Sequence, residues 1–171
     1  MDKGQNTDNR AITIKLLQQR GVSIEDIARL VLELQKGYYP DLTCEECLDS
    51  VLRVLNKREV QNAILTGITL DMLTEKNLID EPLASILRND DSLYGIDEIL
   101  SLSIVNVYGS IGLTNFGYLD KVKPGIIGSI NDKKNSAKNR VNTFLDDIVA
   151  AIAAAASARI AHRVRAVPTD D

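Results

Sequence analysis

Apolar residues recur along most of this chain at the three- and four-residue spacing of a helix face, and few stretches alternate as a half-buried strand does. In "SIEDIARLVLELQ" the stripe is Ile24, Ile27, Leu30, Val31 and Leu34. Ser23, with Asp26 three residues on, gives it a capping-box start. Thr43 and Glu46 open a second such segment, where Cys47, Val51, Val54 and Leu55 share one face. The pattern continues through Lys57 and Glu59 to Ala63 and Leu65, with a break or bend expected near Gly67. Ahead of these, residues 11–21 read as a short helix closed by Gly21. Further on, Pro82 sits in the first turn of a short helix, and a longer one is expected from about residue 93 to 110. Glycines 112, 117, 125 and 128 with Pro124 predict short pieces and turns, and "KKNSAKNR" a basic loop. A last helix runs from about residue 142 to 164. The pattern predicts an all-α fold: one helical domain over residues 10–165, in which 10–60 are amphipathic N-terminal helices. Residues 1–9 are expected to be a disordered tail and 166–171 a frayed one.

The last helix poses a packing question. Leu145, Ile148, Val149 and Ile152 form a stripe of large residues, and alanines with Ser157 cover the other faces. A surface helix would carry Lys and Glu there. Small residues all round let neighbours approach closely, which places this helix at the centre of the fold, surrounded by the others. Asp146 and Asp147 at its mouth are then costly, because adjacent carboxylates at a core edge repel each other and lose solvation. Two explanations stand: first-turn acids capping a helix, with Thr143 as N-cap, or ligands of a cation, Mg²⁺ above all, which prefers carboxylate oxygens.

Asp97 and Glu98 raise the same question, since they open a helix whose next residues, from Ile99 to Val107, carry no charge. Asp120, followed by Lys121, Lys123 and Pro124, combines a carboxylate with two cations in a segment framed by glycine and proline. That combination suits a phosphate ester held beside a metal, although such turns are more often solvated surface.

Composition narrows the function further. The 171-residue chain carries a net charge of −4, which argues against an electrostatic nucleic-acid binder. No secretory signal is evident in "MDKGQNTDNR". No uncharged apolar run is expected to reach the length of a membrane span, the alanine-rich segment coming nearest. A cytoplasmic protein is expected, with peripheral contact at the inner membrane face. Cys44 and Cys47 lack partner ligands for zinc and read as structural helix residues. His162, beside Arg163, reads as a solvated helix-terminal residue and not as a catalytic one.

"DEILSLSIVNVYGSIG", "FGYLDKVKPGII" and "FLDDIVAAIAAAA" together resemble the phosphatidylglycerophosphatase A family in order and spacing. That family's pattern is D-E before an apolar helix, then L-D-x-x-K-P, then a D-D-I-V-A-G-like segment. Asp97, Glu98, Asp120, Lys123, Pro124, Asp146 and Asp147 match it position by position, over about residues 65–158. "AILTGI" is a looser echo of the family's L-L-A-T-G segment; the Gly/Pro-rich region that follows it there is replaced here by "TLDMLTEKNLIDEP". The chain resembles the soluble, YutG-like branch, also called low temperature requirement C proteins. The resemblance implies a Mg²⁺-dependent phosphomonoesterase that removes the terminal phosphate of phosphatidylglycerophosphate, or a soluble relative with another phosphate ester substrate. Asp97, Glu98, Asp120, Asp146 and Asp147 would be metal ligands or general base, and Lys123 and Lys121 would face the substrate phosphate. Expected partners are a phosphate ester, a phospholipid at a membrane surface included, and further copies of the chain in a homo-oligomer. The alternative is a non-catalytic helical oligomer or interaction module that keeps the acids for capping.

Overall fold

The structure, a computed structural model, describes residues 5–132 and 139–165. The expected tails at 1–4 and 166–171, and most of the basic loop, lie outside the described residues. Helices α1 (Gln5–Gln19), α2 (Ile24–Gln35), α3 (Cys44–Leu55), α4 (Arg58–Glu75) and α5 (Leu83–Asn89) make the first half. The second half holds α6 (Ile96–Val105), a 3₁₀ turn η1 (Asn106–Tyr108), α7 (Gly109–Val122), α8 (Gly125–Asn131) and α9 (Leu145–Arg165). Among the described residues there is no strand, and the fold is all-α as the sequence predicts.

Local chemistry sets most of the helix ends. α1 closes around Gly21, at φ +86, with the Val22 N–H returning to the Leu17 carbonyl at 3.0 Å. The same helix starts at Gln5, so residues 5–9 belong to it and not to the expected tail. Both predicted capping boxes form: Ser23 Oγ accepts from the Asp26 N–H, Thr43 Oγ1 from the Glu46 N–H, and each acid reaches back to its cap. The expected continuation through Lys57 is interrupted, because α3 ends at Leu55 and α4 begins at Arg58. Gln61 explains the stop: its Nε2 donates to the Leu55 carbonyl at 2.9 Å and satisfies an acceptor at the end of α3.

No break occurs at Gly67, where α4 runs on unbroken. A Cβ there would lie 2.6 Å from Ile148 Cδ1 and 3.0 Å from Phe144 Cβ, so this glycine permits close approach of α4 to α9. The expected helix over 93–110 is shorter. Gly112 and Gly117 lie within one helix of 14 residues, α7, in place of the expected turns, while the turn at Lys123 and Pro124 and the short α8 form as expected. Gly112 is buried there, tight against Val105 and Tyr108, so packing outweighs its low helix propensity.

The expectation about apolar runs also needs correction. No charged residue occurs between Glu98 and Asp120, and the 27 residues Ile96–Val122 are long and apolar enough, by length and composition alone, to cross a membrane. Only 33% of the most apolar window is buried, and Ile96, Ile99, Val107, Leu113 and Tyr118 are exposed.

α9 is central as predicted: it packs against α2, α3, α4, α6, α7 and α8. Its alanines from Ala150 to Ala158 and Ser157 are fully buried. Ser50 on α3 donates to the Ala156 carbonyl at 2.9 Å, a contact possible only where two backbones come close. The large residues Leu145, Ile148, Val149 and Ile152, with Phe144, fill the space toward the remaining helices.

Candidate functional site

Three helix ends meet at one place. Gly95, at φ +75, turns the chain into α6 and sets Asp97 and Glu98 in its first turn. α7 delivers Asp120 and then stops at Lys123, which adopts the left-handed conformation at φ 49 before Pro124 opens α8. That conformation is unfavourable for a residue with a Cβ, by about 1–2 kcal/mol. Here it turns the lysine back over the start of α9. α9 contributes Asp146 and Asp147. The three acidic segments singled out in the sequence line one cleft of about 200 Å³, with Asp90, Asp91, Ser92, Leu93 and Tyr94 from the loop before α6. Lys121 is exposed and is not part of this lining.

The cleft holds seven carboxylates and one cation. Lys123 Nζ donates to Asp146 Oδ2 at 2.8 Å and to Asp120 Oδ1 at 3.2 Å. Burial alone would lower the pKa of this ammonium, but the Asp146 and Asp120 carboxylates outweigh it and hold the group above its ordinary range. Asp146 and Asp147 are only 7% and 4% exposed. Burial raises both, with Lys123 opposing the rise at Asp146 and the Asp146 and Asp120 charges adding to it at Asp147. Asp97 is raised as well, by burial and then by Asp90 and Asp120. One lysine therefore leaves most of the negative charge uncompensated.

The start of α9 is held by Thr143 in an unexpected role and by side chains that the sequence pattern did not single out. Thr143, expected as its N-cap, instead donates from Oγ1 to the Leu87 carbonyl at 2.6 Å and ties the turn to α5. The capping acceptor is Asp71 of α4: Oδ2 accepts from the Leu145 N–H at 3.1 Å and both oxygens lie 3.2 Å from the Phe144 N. Asp71 is fully buried, and that burial lifts its carboxyl to about 8, against the pull of the Phe144 amide and Arg20. Behind it, Glu75 accepts from the Val141 N–H and from Arg20, which also reaches Asn142 Oδ1 at 2.8 Å. A signal for Asp71 exists in the sequence: it lies on the buried stripe of α4 with Ile64, Gly67 and Ile68, where an acid is out of place.

Whether these residues fit Mg²⁺ can be judged from the donors themselves. They are carboxylate oxygens from three elements, the donor type a hard cation takes. Asp97 Oδ1 is buried without a hydrogen-bond partner, an acceptor left open toward this cluster. Among the described residues no three His, Cys, Asp or Glu side chains stand close enough to form a ready-made cage. The Lys123 ammonium lies between Asp120 and Asp146 and bonds to both. Mg²⁺ commonly keeps several waters and takes only one or two carboxylates directly, so the donor set fits it without a closed cage. His162 is not among the cleft residues; its Nε2 lies 3.3 Å from the Tyr108 carbonyl.

Comparison with known proteins identifies the family. The family model described as phosphatidylglycerophosphatase A matches residues 13–162, which takes in the N-terminal helices as well as the region from residue 65 on. The chain is 60% identical to YutG of Bacillus subtilis (strain 168), an uncharacterized protein, over 87% of this chain and 88% of that one. It is 28% identical to the uncharacterized MJ1330 of Methanocaldococcus jannaschii, over 70% and 87%. Among solved structures, the low temperature requirement C protein of Listeria monocytogenes matches with a TM-score of 0.87 at 55% identity, over 92% of this chain and 97% of that one. A protein of unknown function from Bacillus stearothermophilus matches at 0.85 and 62%, over 90% and 98%. The chain belongs to the phosphatidylglycerophosphatase A family, a family of phosphatases, and its three matching motifs converge on the acidic cleft.

Proposed function

We propose that the acidic cleft is the active site of a Mg²⁺-dependent phosphomonoesterase. Its substrate is phosphatidylglycerophosphate, as the family's description names, or another phosphate monoester. The observation that carries this reading is the gathering of seven carboxylates around a single lysine in one small cleft. Asp97, Glu98, Asp120, Asp146 and Asp147 would hold the metal, and one acid not engaged with it would take the proton of the attacking water. When bound, Mg²⁺ polarises the phosphoryl group and lowers the pKa of water. Lys123 is the cleft's own cation, and on leaving Asp146 it can neutralise a phosphate oxygen as charge builds there. The exposed apolar residues Ile96, Ile99 and Val122, next in the chain to Asp97, Glu98 and Lys123, support an enzyme that meets its substrate at a membrane surface. The same residues support a homo-oligomer.

The test is release of inorganic phosphate from phosphatidylglycerophosphate in mixed micelles and from soluble monoesters, with Mg²⁺ and with a chelator. Wild-type protein should release phosphate only with Mg²⁺, and Asp146→Asn should not. Full activity in Asp146→Asn removes the cleft from the chemistry.

A second reading, a non-catalytic helical module, draws on the lack of a closed metal cage among the described residues. It predicts no change in melting temperature at millimolar Mg²⁺, whereas a bound ion must raise it.

A further inference from the structure

We infer that Asp71 is a positioning residue of the acidic site, fixing where α9 begins and so the aim of Asp146 and Asp147. The inference rests on the reading of the cleft as a Mg²⁺ site. Two independent observations carry it. First, Asp71 accepts from the N–H groups of Phe144 and Leu145, immediately ahead of the two acids, and no other described side chain is hydrogen-bonded to those amides. Second, Gly67 lies one helical turn before Asp71 on the same buried stripe of α4. Without a Cβ it lets α4 approach Phe144 and Ile148 closely enough for Asp71 to reach the amides. Both residues stand outside the cleft lining, so Asp71 acts through α9 and not on substrate.

An acid suits this place better than an amide: with or without its proton each oxygen keeps a lone pair for the helix amides, whereas an amide NH2 can only donate. In Asp71→Asn the NH2 faces the Phe144 N–H whichever oxygen it replaces, because both oxygens stand 3.2 Å from that nitrogen. The first turn must shift or fray, and the two aspartates shift with it. Outer residues that orient metal ligands commonly cost about 10- to 100-fold in affinity when replaced.

Isothermal titration of the full chain with Mg²⁺ tests this. Asp71→Asn should bind about 10-fold or more weakly than wild type. Val51→Ala, a fully buried α3 position outside the cleft lining, should lose stability with affinity unchanged. A folded Asp71→Asn with wild-type Mg²⁺ affinity overturns the inference. So does an equal loss of affinity in Val51→Ala, since general loosening would then suffice. Should Asp71→Asn not fold, Gly67→Ala decides: weakened binding supports the role and unchanged binding overturns it. Absence of Mg²⁺ binding by wild type contradicts the metal reading instead. The role of Asp71 is then read by hydrogen exchange, where Asp71→Asn should lose protection at Leu145 and Ile148 while Val51→Ala keeps it. Retained protection in Asp71→Asn overturns the role.

Discussion

Lys123 Nζ stands 2.8 Å from Asp146 Oδ2, joining the end of α7 to the start of the central helix. The ammonium takes a place that a cation at Asp146 and Asp120 would contest. Lys123→Met should therefore do two things. Without Mg²⁺ it should destabilise the fold by about 2 kcal/mol, below the 3–5 of a fully buried broken pair, because the lysine keeps solvent access. With Mg²⁺ the rise in melting temperature should exceed that of wild type. Thermal melts with and without the ion check both, and phosphate release should fall because the phosphate loses its cation.

Asp147 carries the opposite expectation. Its carboxylate is buried beside Asp146 and Asp120, with no hydrogen bond from Lys123 to relieve it. Asp147→Asn should stabilise the metal-free protein at neutral pH by about 0.5–2 kcal/mol while abolishing phosphate release, the trade-off typical of strained functional sites. Urea unfolding and the phosphate assay together test it. A destabilised Asp147→Asn would mean that the aspartate serves the fold.

The pH dependence follows from the same groups. Asp71 moves from an ordinary value of 3.8 to about 8, and burial raises Asp97, Asp146 and Asp147 too. A carboxyl raised in the folded state keeps its proton there after the unfolded chain has lost it, so these groups make stability fall as pH rises. For Asp71 the window runs from about 4 to about 8. Metal-free protein should melt lower at pH 8 than at pH 6, and the gain from Mg²⁺ should be larger at pH 8. Melts at the two pH values decide it; a higher melting point of the metal-free protein at pH 8 would count against buried, uncompensated acids.

Ala154 tests the packing of α9. It is fully buried, so Ala154→Leu adds volume where neighbouring helices leave none. A loss of about 1–3 kcal/mol in urea unfolding is expected. Tolerance of the leucine would contradict the crowded centre.

Much of this molecule is legible in its sequence. The alanine run places α9 at the centre because helices pack closely only on small residues. The capping boxes at Ser23 and Thr43 form because their chemistry is local. Asp97 with Glu98 and Asp146 with Asp147 stand out as charges at the mouths of uncharged helices, and Asp120 as a carboxylate beside two lysines; they share one cleft. What escapes a reading of the sequence is non-local. Gly67 reads as a bend until α9 is seen against it, and α7 stays one helix because burial offsets its glycines. Asp71 caps a helix that starts more than seventy residues later in the chain. No spacing rule links such positions, although an acid on a buried stripe is a usable sign. Asp90 and Asp91 are not among the acids the sequence pattern singles out, and only the loop's fold brings them to the cleft.

The proposed function stands or falls on whether the cleft holds a divalent cation. Crystals soaked in Mn²⁺, which takes the same octahedral oxygen coordination as Mg²⁺, answer this by anomalous diffraction. The expected result is an anomalous peak among Asp97, Asp120, Asp146 and Asp147, with Lys123 moved off Asp146. An unchanged Lys123–Asp146 contact and no peak in the cleft would contradict it.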